Sequence, residues 1–176
     1  MSTTILVTYA TRYGSTQEVA ETIAAELNKL GLSTTLQPMR KVRTLDDYRA
    51  IILGAPIYIG RLHKDARSFL ARHHDALKAK PVALFALGPT NDAQEDWQNV
   101  RQQFEQILAQ VAWLKPIATE LFGGKFDPAA LRFPDSLLTL FPASPLRNMP
   151  PSDIRDWTAI RAWANSLVVQ FQPAFA

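Results

Sequence analysis

Five short apolar runs alternate along this chain with amphipathic stretches, and that alternation constrains the fold more than any other feature. Thr3 to Tyr9 (TTILVTY), Arg49 to Gly54 (RAIILG) and Pro81 to Leu87 (PVALFAL) are apolar at consecutive positions. Strands of this kind are buried on both faces. Leu32 to Pro38 (LSTTLQP) is more polar and suits a sheet edge, and Pro116 to Phe122 (PIATELF) is the fifth strand. Between the first two strands, Val19, Ile23, Leu27 and Leu30 form one stripe at helical spacing. Ser15 or Thr16 is the expected N-cap, and Gly31 is placed to end the helix at C′. Lys64 to Leu77 reads as one helix with Ala66, Phe69 and Leu70 inward. Glu95 to Trp113 carries Trp97, Val100, Phe104, Ile107 and Val111 on one face. The last helix is predicted over about Ser152 to Phe171, with Ile154, Trp157, Ile160, Ala164, Leu167 and Phe171 inward.

Strand and helix in strict alternation predict an α/β fold, a doubly wound five-stranded parallel sheet covered on both faces. At 176 residues and 47% hydrophobic, the chain is long enough for one core, and 1–176 is expected to form a single domain. There is no cysteine, which excludes thiol nucleophiles, thiolate metal sites and iron–sulfur clusters. His63, His73 and His74 have no metal-ligand spacing with a carboxylate pair and read as surface helix residues, so no metal is expected. The four tryptophans lie on or beside helical stripes and read as core. The net charge is only +3, and no run of five or six basic residues marks a nucleic-acid surface. The N-terminus has no basic segment before a long apolar run, and no stretch is long enough to span a bilayer, so a cytoplasmic location is expected.

In such sheets ligands bind outside the carboxyl ends of the strands. The relevant loops are 10–16, 55–63 and 88–95, and all the glycines except Gly31 fall at or just beyond predicted strand ends. The first loop, TYATRYGST, is neither G-x-G-x-x-G nor a Walker A loop. Hydroxyls of Thr8, Tyr9, Thr11, Ser15 and Thr16 surround Gly14 where a helix begins. Unpaired first-turn amides and the helix dipole favour an anion there, so a terminal phosphate is one reading and plain N-capping the other. The segment 123–151 holds six of the twelve prolines, with Phe126, Phe133, Leu137, Leu138, Leu140 and Phe141. It is too apolar for a solvated linker and too interrupted for one helix. It reads either as an ordered excursion carrying a short helix or as a contact for a partner, a quinone or a membrane.

T-x-x-G-S-T after the first strand, followed by V-A-x-x-I-A-x-E-L, resembles the FMN phosphate loop of the flavodoxin superfamily. GAPIYIGRLH after the third strand and ALGPTND after the fourth resemble its two ring-contacting loops. Ala10 to Gly14, the G-A-x-I-x-x-G-x-x-H pattern from Gly54 to His63, and the long insertion before the last helix are most similar to the flavodoxin-domain group that includes menaquinone-dependent protoporphyrinogen dehydrogenase. The resemblance implies the strand order 2-1-3-4-5 and FMN as cofactor. It implies that Thr11, Arg12, Tyr13, Gly14, Ser15 and Thr16 hold the phosphate. Pro56, Ile57, Tyr58, Ile59, Gly60 and Arg61 would contact the ring, with Leu87, Gly88, Pro89 and Thr90 on its other side. Tyr58 is either a stacking ring or a half-exposed loop tyrosine, and Gly60 either a special or an ordinary turn glycine. Arg61 either counters a reduced flavin or is a solvated rim residue.

A phospho-receiver domain would need an acidic pair after the first strand and an aspartate after the third, where this chain has Thr8 to Thr11 and Ala55-Pro56. The resemblance leaves an FMN-dependent oxidoreductase, quinone-coupled and acting on a porphyrinogen-like substrate, a small electron carrier with a redox partner protein, and a binding module without catalysis. Carriers of this fold tend to be acidic, and the positive charge here favours the oxidoreductase. The insertion 123–151 would then be the quinone, partner or peripheral membrane contact.

Overall fold

The computed structural model describes residues 4–175; Thr3, the expected start of the first strand, lies outside them. The chain runs β1 (Ile5–Tyr9), α1 (Ser15–Lys29), β2 (Thr34–Pro38), β3 (Ala50–Tyr58), β4 (Arg61–Leu62), α2 (Lys64–Arg72), α3 (His74–Lys78) and β5 (Val82–Leu87). It continues through α4 (Gln94–Gln110), β6 (Ala118–Phe122), β7 (Lys125–Phe126), α5 (Asp135–Leu138), β8 (Ser152–Asp153) and α6 (Trp157–Phe175). Five strands pair in parallel in the order β2-β1-β3-β5-β6. Counted without the two-residue β4, this is the expected order 2-1-3-4-5.

Successive strand residues serve opposite faces, which is why both strand sides are apolar. Ile5, Val7, Ile52, Ala83, Phe85 and Leu87 pack under α1 and α6, against Val19, Ile23, Leu27, Ile160, Leu167 and Phe171. Leu6, Ile51, Leu53, Val82 and Leu84 pack on the other side against Phe69, Leu70, Phe104 and Ile107. Each such buried side chain stabilises the fold by about 1.5–3 kcal/mol relative to exposure. Helix α1 ends as expected: Gly31 has φ 84°, its amide donates to Asn28, and the Leu32 amide donates to Leu27. Leu30, assigned to the inward stripe, is instead the C-cap and half exposed.

Several boundaries differ from the sequence expectations, each for a local reason. β3 does not stop at Gly54 but runs to Tyr58 and folds back through β4 as an antiparallel hairpin. Gly54 is therefore inside a strand, and a Cβ there would lie 2.1 Å from Phe85 Cζ. The helix expected over 64–77 breaks at His73, which ends α2 and precedes α3. His73 is buried, not on the surface, stacked on Phe69 at a ring separation of 4.7 Å. His63 is the N-cap of α2, its Nδ1 accepting from the Asp65 amide at 3.2 Å. α6 starts at Trp157, so Ile154 is not on it; Ser152–Asp153 pair with Lys125–Phe126 instead. Of the tryptophans only Trp163 is fully in the core, edge-on to Phe85 and Phe122, while Trp97, Trp113 and Trp157 are half-buried. β6 is a sheet edge, and its Leu121 amide donates to the Glu120 carboxylate at 3.0 Å.

Burial, with the neighbouring Arg72 cation, holds the His73 pKa below 6.5, against a hydrogen bond to Val42 that raises it. The unfolded chain then takes up this proton at higher pH than the folded one. The stability His73 contributes is full above about pH 6.5 and is lost as pH falls from there toward the folded pKa. Denaturant midpoints should drop from pH 7.5 to pH 5.5, with a slope of up to about 1.4 kcal/mol per pH unit that His73→Gln reduces. A drop of equal size in His73→Gln would assign the effect elsewhere. Gly54→Ala should cost about 1–3 kcal/mol in the same measurement, because Phe85 is packed on all sides and cannot yield.

Candidate functional site

Parallel strands end together, and the loops after β1, β3 and β5 meet at one end of the sheet. After β1 the chain turns through Gly14, which has φ 91° and serves as N-cap of α1. The expected Ser15 or Thr16 cap is not used, because the turn is built differently: Thr11 Oγ1 accepts from the Gly14 amide at 2.9 Å. That leaves the Thr11 hydroxyl hydrogen free to donate. The amides of Ser15, Thr16 and Gln17 have no acceptor among the described residues, and the first helical bond is Glu18 to Gly14 at 3.1 Å. Of the five hydroxyls expected here, two are elsewhere. Thr8 is fully buried and donates to the Gln37 carbonyl of β2 at 2.8 Å, and Tyr9 lies in the core. Thr11, Ser15 and Thr16 remain at the loop.

Thr16 is fully buried, and its hydroxyl is the one buried side-chain polar atom without a hydrogen-bond partner among the described residues. Leaving such a group unmade costs about 1–3 kcal/mol. An orphaned hydroxyl, three open amides and a helix N-terminus fit an anionic group such as the terminal phosphate of FMN.

The second loop is a hairpin turn. Ile59 and Gly60 both have positive φ, 49° and 70°, as the two central residues of a type I′ turn require. Gly60 meets this without a side chain, whereas Ile59 is β-branched, fully exposed and strained there. Tyr58 keeps 42% of its surface exposed, and its partial burial raises the phenol pKa. The Arg12 cation opposes that rise while Tyr13 and Asp135 add to it, which puts the hairpin and the first loop in one field. Pro56, Leu87 and Pro89 are all buried, Leu87 among the core residues under α1 and α6. The third loop is held from behind. The Gly124 amide donates to Pro89 at 2.7 Å, the Ser152 hydroxyl donates to the Thr90 carbonyl, and the Gly88 amide donates to Phe122. A Cβ on Gly124 would lie 2.9 Å from the Gly88 carbonyl oxygen.

Two site residues were not legible in the sequence. Asp135, at the start of α5 in the insertion, accepts from Arg12 Nε at 2.6 Å and from the Tyr13 hydroxyl. Burial, then the Asp135 carboxylate, raises the Tyr13 pKa. Arg155 is buried and donates to Asp153, to Glu18 and to the Ser15 carbonyl. Burial opposes its charge, but these bonds more than offset that and raise its pKa. Only the aspartates flanking Arg155 hinted at this role. The apolar part of the insertion faces solvent: Phe133, Leu137, Leu138, Leu140 and Phe141 are all exposed. No helix among the described residues is long and apolar enough to cross a membrane. A cleft of about 700 Å³ lies between α4, β6 and the start of α6 and includes none of the first-loop or hairpin residues.

The sequence pattern of the flavodoxin domain matches residues 6–139. Protoporphyrinogen IX dehydrogenase [quinone] of Escherichia coli K12 is 27% identical over 84 residues, 47% of this chain and 46% of that protein. The chain thus aligns with about half the length of that relative. The Leishmania major protein of the same name is 25% identical over 168 residues, covering 91% of this chain and 72% of its own. Among solved structures, oxidised flavodoxin 1 from Bacillus cereus superposes with TM-score 0.55 at 15% identity, over 94% of this chain and 97% of that one. The flavodoxin of Streptococcus pneumoniae gives TM-score 0.57 at 14% identity, over 95% and 99%. At these identities the structural likeness establishes the fold.

Asp135 places a negative charge on the two side chains beside the open amides. Asp135→Asn removes that charge and frees Arg12 and Tyr13. Affinity for riboflavin 5′-phosphate, read from flavin fluorescence quenching, should rise about two- to fivefold, the effect of one partly exposed charge pair. A weaker affinity would mean that Asp135 orients Arg12 toward the phosphate.

Proposed function

Because this chain belongs to the flavodoxin-domain family, we propose that it is an FMN-binding oxidoreductase coupled to a quinone. The observation that carries this reading is the anion cup at the start of α1: open amides of Ser15 to Gln17, a free Thr11 donor and the orphaned Thr16 hydroxyl. Thr11, Ser15, Thr16 and Gln17 would hold the phosphate through main-chain and hydroxyl donors, with Gly14 shaping the turn and Arg12 and Tyr13 at its rim. Tyr58, on the β3–β4 hairpin, would lie against one face of the ring, with Ile57, Ile59, Gly60 and Arg61 around it. Pro89 and Thr90, pinned by Gly124 and Ser152, would limit the other face. Bound FMN would supply hydride and single-electron transfer, while the protein positions the ring and excludes competing partners.

The names of the relatives supply the quinone, and a porphyrinogen-like donor is the substrate this reading carries over from them. The exposed Phe133, Leu140 and Phe141 suit a quinone or a membrane surface that delivers one. The net charge of +3 sets this chain apart from acidic electron carriers.

The protein as purified should show a flavin visible spectrum or acquire one on titration with FMN. Thr11→Asp sets a carboxylate against the phosphate and should weaken binding at least a hundredfold; unchanged affinity would move the phosphate elsewhere. Leu140→Asp combined with Phe141→Asp alters two exposed side chains and should keep the flavin while removing most menaquinone-dependent oxidation of a porphyrinogen. Full turnover in that variant would separate the insertion from the quinone. Activity only in the presence of a partner reductase would identify a carrier.

A further inference from the structure

Beside the hairpin, on the side of α2 and α4, lies a groove of about 280 Å³ that shares only Gly60 and Arg61 with the proposed ring loop. Its floor is apolar, formed by Leu62, Leu70 and Ile107, each buried to within 6% of complete yet still reached from the groove. Its rim carries Arg61 from the hairpin, Arg67 from α2 and Gln110 from the end of α4. Neither guanidinium has a carboxylate or carbonyl partner among the described residues, unlike Arg12, Arg72, Arg155 and Arg161. An anion in a groove rimmed by two guanidinium groups is attracted to both. Guanidinium groups present planar forks that match carboxylates. Burial chiefly lowers the His63 pKa; the Asp65 carboxylate opposes this, and Lys64, Arg12 and Arg67 add to the lowering.

We propose that this groove binds a compact apolar carboxylate, its ring or chain on Leu62, Leu70 and Ile107 and its acid group on Arg61 and Arg67. Gln110 can donate its amide to the same group or accept from a hydroxyl. The volume suits a molecule of naphthalene size, and the groove shares its Gly60–Leu62 wall with the hairpin. A ligand there would therefore be held next to the hairpin's outer side. The proposal does not rest on flavin binding, because two helices and a hairpin of the polypeptide form the groove.

The test is a titration of the full chain with 2-naphthoate, followed by NMR of the leucine, isoleucine and valine methyl groups, with and without added FMN. Shifts at Leu62, Leu70 and Ile107 are expected in both conditions, whatever FMN itself does. Affinity should fall at least tenfold for Arg67→Gln, an exposed position outside the proposed flavin contacts, and at least tenfold for the neutral isostere 2-naphthamide. It should also weaken as salt rises. Shifts confined to Leu137, Leu138 and Leu140 of the insertion, no shifts at all, or equal binding of acid and amide would each overturn the proposal. Unchanged affinity in Arg67→Gln would do the same.

Discussion

A sheet buried on both faces cannot return its chain by hairpins across water; it must return through helices that cover it. That one requirement sets all five long strands parallel and brings the ends of β1, β3 and β5 to a common mouth. It also places the first turn of α1, with its open amides, at that mouth. The candidate site is thus a by-product of how the core is closed. The side chains there adjust it: Gly14 allows the left-handed turn, Thr11 replaces a cap, and Thr16 is left with an unused hydroxyl.

The insertion and the short segment that follows it are tied to that mouth at three points. Asp135 holds Arg12 and Tyr13, Arg155 bridges Asp153 to the first turn of α1, and Ser152 holds the Thr90 carbonyl. The excursion's Phe133, Leu137, Leu138, Leu140 and Phe141 are exposed, while its Asp135 is paired with the first loop.

The strands and helices were legible because burial on both faces leaves consecutive apolar residues, and one-sided burial leaves helical stripes. Val19, Ile23, Phe69, Phe104 and Leu167 all went where their spacing put them. What was not legible depends on register or on distance along the chain. Thr8 looks like a loop donor until the β1–β2 pairing turns its hydroxyl to Gln37. Asp135 meets Tyr13 across 122 residues, and Arg155 meets Glu18 across 137, and no local pattern encodes either. The hairpin was hidden because Ile is a poor residue for a left-handed turn, so Ile59-Gly60 does not read as Asn-Gly would. His73 was misplaced because a neighbouring histidine and arginine made its stretch look solvated, while its ring packs on Phe69.

β6 leaves one side of the sheet open, and an open side normally invites a second chain to zip on. Here Glu120 folds its carboxylate onto the next residue's amide and so removes a donor that such a guest would need. A second strand seeking to add there would find that position of the β6 margin already filled.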